Sequence, residues 1–93
     1  MAQVRYKGEA AAGLIIKPLD DLRLVYQRRS GTTHVVLSPV PEILGAMNGD
    51  ALTAREVLER LSAHYDLGPA QEALAVIAAR LEEMAALGLA ERL

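Results

Sequence analysis

Residues 18–44 read Pro18-Leu19-Asp20-Asp21-Leu22, then Leu24-Val25-Tyr26, then Arg28-Arg29-Ser30-Gly31-Thr32-Thr33-His34, and close on Pro41-Glu42-Ile43-Leu44. This stretch decides the fold, because it describes a β-hairpin handing over to a helix. Residues 22–28 and 32–37 are rich in Leu, Val, Tyr and Thr, which suit a pleated, half-buried surface. Between them Ser30-Gly31 supplies a residue that takes positive φ without steric cost, so the chain reverses in a short loop. Ser38-Pro39-Val40-Pro41 breaks the sheet. Pro41 suits a first helical turn, where a missing N–H costs nothing.

Working outward, Leu14-Ile15-Ile16-Lys17 is a short apolar run stopped by Pro18 and the pair Asp20-Asp21, which predicts a first strand. The helix opening near Pro41 carries Ile43, Leu44 and Met47 on one side and ends at Asn48-Gly49, a pair that tolerates a left-handed cap. Thr53-Ala54-Arg55-Glu56 has the form of a capping box, and Val57, Leu58, Leu61 and Tyr65 continue it at helical spacing. Asp66-Leu67-Gly68-Pro69 punctuates. A longest helix then runs over residues 69–87 and stops at Gly88. The expected fold class is α+β and winged-helix-like, a three-stranded antiparallel sheet followed by three helices. Residues 1–13 read as a flexible lead-in, with a small Ala-rich segment between Gly8 and Gly13, and residues 14–93 form a single domain.

The last helix carries two stripes. Ala70, Leu74, Ile77, Leu81, Met84, Ala85 and Gly88 make the expected core face. Beside it lie Ala73, Val76, Arg80 and Leu87, which widen the apolar surface beyond what two short helices require. That second stripe reads either as packing on the sheet, as support for a homodimer, or as the wall of a groove. Gln71, Glu72, Glu82 and Glu83 crowd the remaining arc.

Composition narrows the function classes. Ninety-three residues suffice for one domain with a modest core, and with no cysteine, disulfides and thiolate metal sites are excluded. The aromatic residues are Tyr6, Tyr26 and Tyr65 alone, too few for the base-stacking platforms of single-stranded nucleic-acid binders. No run approaches the roughly 20 apolar residues of a membrane span. The first residues lack the charged-then-apolar order of a signal peptide, so the expected placement is soluble and cytoplasmic. The net charge of −2 divides into +3 over residues 1–40 and −5 over residues 41–93.

In wording and spacing the hairpin resembles the PqqD-like family of peptide chaperones. It is most similar to the branch found beside HPr-kinase-related proteins, whose hairpin reads roughly Tyr-x-Arg-x-Ser-Gly-x-Thr-His. Tyr26, Arg28, Ser30, Gly31, Thr33 and His34 meet that pattern, and the resemblance extends from about Leu14 onward. It implies a RiPP recognition element, a small non-catalytic domain of natural-product biosynthesis. Such a domain binds the leader of a ribosomally made precursor peptide and presents it to a modifying enzyme. It further implies a leader added as a strand to the third strand and lying against the last helix, a case of β-augmentation. The peptide-binding residues so implied are Thr33, His34, Val35, Val36 and Leu37 on the strand, and Ala73, Val76, Arg80, Met84 and Leu87 on the helix. A modifying enzyme or an HPr-kinase-related protein is the implied partner. No cofactor, metal, nucleic acid or membrane is called for.

Other features are read as structural. Asp20-Asp21 lack a convergent histidine and suit a turn rather than acid–base work. Arg28-Arg29 are solvated turn charges, with a phosphate or carboxylate as the other reading. His34 is either a half-buried strand histidine or a contact to peptide or enzyme. His64 and Tyr65 close a helix. No phosphate loop, paired-histidine zinc motif or activated serine is present. Two alternatives stay open: a winged-helix DNA-binding protein, and a protein-interaction scaffold without a peptide ligand. The former sits poorly with a last helix whose sole cation is Arg80, against Glu72, Glu82 and Glu83.

Overall fold

Hydrophobic alternation builds two small antiparallel sheets in the computed structural model, which describes residues 3–93. In chain order the elements are β1 Arg5–Gly8, a short 3₁₀ turn at Ala11–Gly13, β2 Leu14–Leu19, β3 Leu22–Gln27, β4 Thr32–Val36, α1 Val40–Met47, β5 Ala51–Thr53, α2 Ala54–Ser62, α3 Ala70–Leu87 and β6 Ala90–Arg92. The expected three-stranded sheet is β2-β3-β4, antiparallel throughout, with Ile16 opposite Val25 and Val25 opposite His34. Gly31 takes φ +69° in the β3–β4 turn, as its position there requires. Asp20 reverses β2 into β3 at φ +53°, a conformation that aspartate tolerates better than most side chains.

The second sheet, β5-β1-β6, goes beyond the expected three strands. Residues 1–13 read as a flexible lead-in, yet Arg5–Gly8 is the central strand of this sheet; residues 1 and 2 of the lead-in lie outside the described residues. The reason is packing. Tyr6 is 4% exposed and its hydroxyl donates to the Glu82 carboxylate on α3, a combination that anchors a short strand through one ring and one polar tip. Gly8 lies so close to α1 that an added Cβ would stand 3.0 Å from the Met47 Cβ. Only a residue without a side chain allows that approach.

The core lies between the two sheets and the helices. Val25 and Val36 from the hairpin join Ile43, Leu44 and Met47 of α1, Val57, Leu58 and Leu61 of α2, and Ile77, Leu81 and Met84 of α3. Burying each of the larger side chains fully contributes about 1.5–3 kcal/mol before entropy is counted. No helix among the described residues is long and apolar enough to cross a membrane.

Alternation also gives the β2-β3-β4 sheet two distinct faces. The core face takes Val25, Gln27 and Val36, with Arg23 and His34 alongside. The opposite face aligns Ile15 with Tyr26 and Thr33, Lys17 with Leu24 and Val35, and Leu19 with Leu22.

The capping box at the start of α2 forms as the spacing predicts. Glu56 N–H donates to Thr53 Oγ1 at 3.2 Å, and Thr53 N–H donates to Glu56 Oε1 at 2.9 Å. Arg5 of β1 adds a 2.7 Å ion pair to the same Glu56 oxygen, so the cap ties α2 to the second sheet. The Thr53 backbone bond, with the Arg5 charge behind it, holds the Glu56 carboxyl below its ordinary value of 4.5. A lowered folded-state pKa contributes stability that is complete above the unfolded value and is lost as pH falls through the folded one. Thr53→Ala is therefore expected to cost about 1–2 kcal/mol in urea unfolding at neutral pH. Glu56→Gln is expected to flatten the fall in stability below pH 4.5, read as melting temperature against pH. An unchanged acid slope in that variant sinks the assignment.

Candidate peptide-binding edge

β4 is the last strand of its sheet and pairs with β3 alone, so its outer edge carries unpaired main-chain groups among the described residues. Its side chains divide by register. His34 and Val36 lie on the core face, opposite Val25 and Arg23, whereas Thr33 and Val35 lie on the far face, opposite Tyr26 and Leu24. Val36 is buried in the core and is held there rather than offered to a ligand. Leu37 follows the strand and is exposed. Of the five strand residues singled out in the sequence, His34 therefore has its side chain on the core side of the strand without being consumed by the core, and its Nε2 is buried with no hydrogen-bond partner.

On α3 the expected wall is four residues rather than five. Met84 is fully buried in the core and presents nothing to a surface ligand. Val76 and Leu87 are 49% and 53% exposed, Ala73 is half-buried, and Arg80 sits between them at helical spacing. Arg80 Nη2 meets Glu83 Oε1 at 2.9 Å, one turn along the helix, while its Nε is buried without a partner. An apolar flank with one partly committed guanidinium is suited to an extended peptide carrying alternate apolar side chains and an acceptor. It is poorly suited to a phosphate backbone.

Gln27 holds the hairpin to α3, and sequence reading passed over it as an ordinary strand residue. It is 2% exposed. Its Nε2 donates to Glu9 Oε1 and to the Gly88 carbonyl, both at 2.9 Å, and its Oε1 accepts from Ser30 Oγ at 2.8 Å. Ser30 Oγ also accepts from Thr32 N–H at 3.3 Å, and Arg29 Nε reaches Glu9 Oε1 at 3.2 Å. Ser30 of the hairpin motif thus serves the turn itself. The signal that could have found Gln27 is its period-two spacing from Val25, which sets it on the core face.

The main hollows are not lined by β4: one of about 570 Å³ is lined by Pro41, Gly45, Arg60, His64 and Tyr65 among others at the α1–α2 end, and one of about 680 Å³ is lined by Glu9, Arg29, Ala85 and Gly88 among others beside the Gln27 clamp. Among the described residues no three His, Asp or Glu side chains gather as a metal site. Asp20 and Asp21 occupy the β2–β3 turn, as their sequence suggests. Compared with family models, with curated proteins and with solved structures, the chain finds no match.

The hydrogen bond from Gln27 is the first cause that holds the Glu9 carboxyl below its ordinary value, with the Arg29 charge adding to it and partial burial opposing it. Gln27→Leu is expected to leave the Gly88 carbonyl and the Ser30 hydroxyl without this partner and to cost about 1–3 kcal/mol. It is also expected to bring the Glu9 pKa back up, which carbon-detected NMR titration reads directly. A Glu9 titration that does not move contradicts the clamp.

Proposed function

We propose that this chain is a non-catalytic, cytoplasmic peptide-binding module. It takes up an extended leader segment of a ribosomally made precursor peptide by strand addition to β4, beside α3, and presents it to a modifying enzyme. The observation that carries this reading is the open β4 edge, with a partnerless His34 nitrogen on the strand and a partnerless Arg80 nitrogen on the helix. Main-chain pairing at an edge supplies affinity without regard to sequence, and pockets for alternate side chains supply choice. The hairpin motif from Tyr26 to His34 and its resemblance to the PqqD-like chaperones support the same assignment and point to an HPr-kinase-related neighbour. No reactive side chain is required for such a role. A DNA-binding reading is weaker, because Arg80, the one cation of α3, already shares its charge with Glu83.

The test is a titration of isotope-labelled protein with a synthetic leader from a small peptide encoded beside the gene. Amide shifts are expected over residues 33–37 and 73–87. Val76→Glu, at a half-exposed position, is expected to weaken binding about 10-fold, equivalent to about 1.4 kcal/mol, while leaving the melting curve in place. Shifts confined to other residues, or none at high micromolar peptide, overturn the reading.

A further inference from the structure

An antiparallel sheet with one solvated face normally reads apolar inward and polar outward. The β2-β3-β4 sheet departs from that pattern. Its core face carries Leu14, Ile16, Val25 and Val36 with the polar Arg23, Gln27 and His34 among them, yet the face turned away from the core is also apolar, at all but Lys17 and Thr33. Leu19, Tyr26 and Val35 stand 48%, 38% and 59% exposed there, around a half-buried Leu24. Lys17 is exposed on the outer strand β2, and a lysine so placed can lay its stem along apolar surface with its ammonium in water.

We infer that this outer sheet face is a self-association surface, on which two copies of the chain pack sheet against sheet with strands reversed. The charges at the two ends of the sheet select this occupant. The β2–β3 turn holds Asp20 and Asp21, the β3–β4 turn holds Arg28 and Arg29, and β3 runs between them, so the acidic and basic turns lie at opposite ends. Asp20, Asp21 and Arg28 form no ion pair with other described residues, while Arg29 is engaged by Glu9. A two-fold axis perpendicular to the strands sets each acidic turn against the partner's basic turn, and symmetry makes the pairing occur twice. Three strands of five or six residues cover about 300 Å², well below the roughly 800 Å² per partner of a standard interface. The dimer is accordingly weak, forming at about 10 µM to 1 mM. It leaves the main-chain edge of β4 and the α3 flank open, sharing with the proposed peptide site only the outward side chains of Thr33 and Val35, so the mass measured without peptide tests it apart from the peptide-binding reading.

Sedimentation equilibrium of the full chain across that concentration range tests the inference. The wild type is expected to rise reversibly from monomer to twice its mass, and Val35→Lys to weaken association at least 10-fold while its circular dichroism and melting stay native. Asp21→Lys and Arg28→Glu are each expected to weaken self-association, and an equimolar mixture of the two to restore it, since the mixed dimer has both end pairs complementary. A wild type that stays monomeric at 1 mM overturns the inference, as does a dimer indifferent to Val35→Lys. So does a mixture no better than its separate components, and this arm decides the matter even where Val35→Lys fails to fold.

Discussion

The buried amide of Gln27 is the constraint on which the arrangement depends. A carboxamide sealed from water is costly unless its groups are partnered, and here its Nε2 and Oε1 find three partners from three parts of the chain. Glu9 belongs to the segment leaving β1, Ser30 to the hairpin turn, and the Gly88 carbonyl to the C-terminal cap of α3. Satisfying one side chain therefore fixes where the hairpin sheet stands against the longest helix. That relation fixes the hairpin against the C-terminal end of α3. In a low-dielectric setting such a network fixes a geometry more sharply than apolar contacts of equal area do.

The second sheet serves the same end by a different route. β1 lies between β5 and β6, so the chain's early and late segments are laced together, and Leu93 N–H donates to the Arg5 carbonyl at 2.9 Å. Tyr6 bonds to α3, Arg5 to the cap of α2, and Gly8 packs on α1. A four-residue strand thus touches every helix. A small domain without cysteine needs such cross-ties, because its modest core leaves little surplus stability. β4, by contrast, pairs with β3 alone.

The hairpin, the three helices, the Thr53 cap and the left-handed caps at Asn48 and Gly88 were legible because each rests on local rules of period, turn chemistry and capping. The candidate edge was legible in part. Its strand and helix were located, but the register that sends Thr33 and Val35 away from α3 and seals Val36 and Met84 in the core was not. Those assignments depend on what the far side of each element packs against. A chain segment rich in Val and Leu reads the same whether its face meets a core, a ligand or a second copy.

By itself the sequence determined the order and kind of the main elements and the absence of thiol chemistry, since each follows from composition or from neighbours a few residues apart. Only the tertiary structure decided that residues 5–8 become a central strand, that Gln27 is a clamp, and that the hairpin's more apolar face points outward. Each of these rests on contacts between residues tens of positions apart, such as Tyr6 with Glu82 or Gln27 with Gly88. A strand of four residues is too short to announce itself. It forms because its ends of the chain and its buried ring have partners waiting, and no local pattern carries that information.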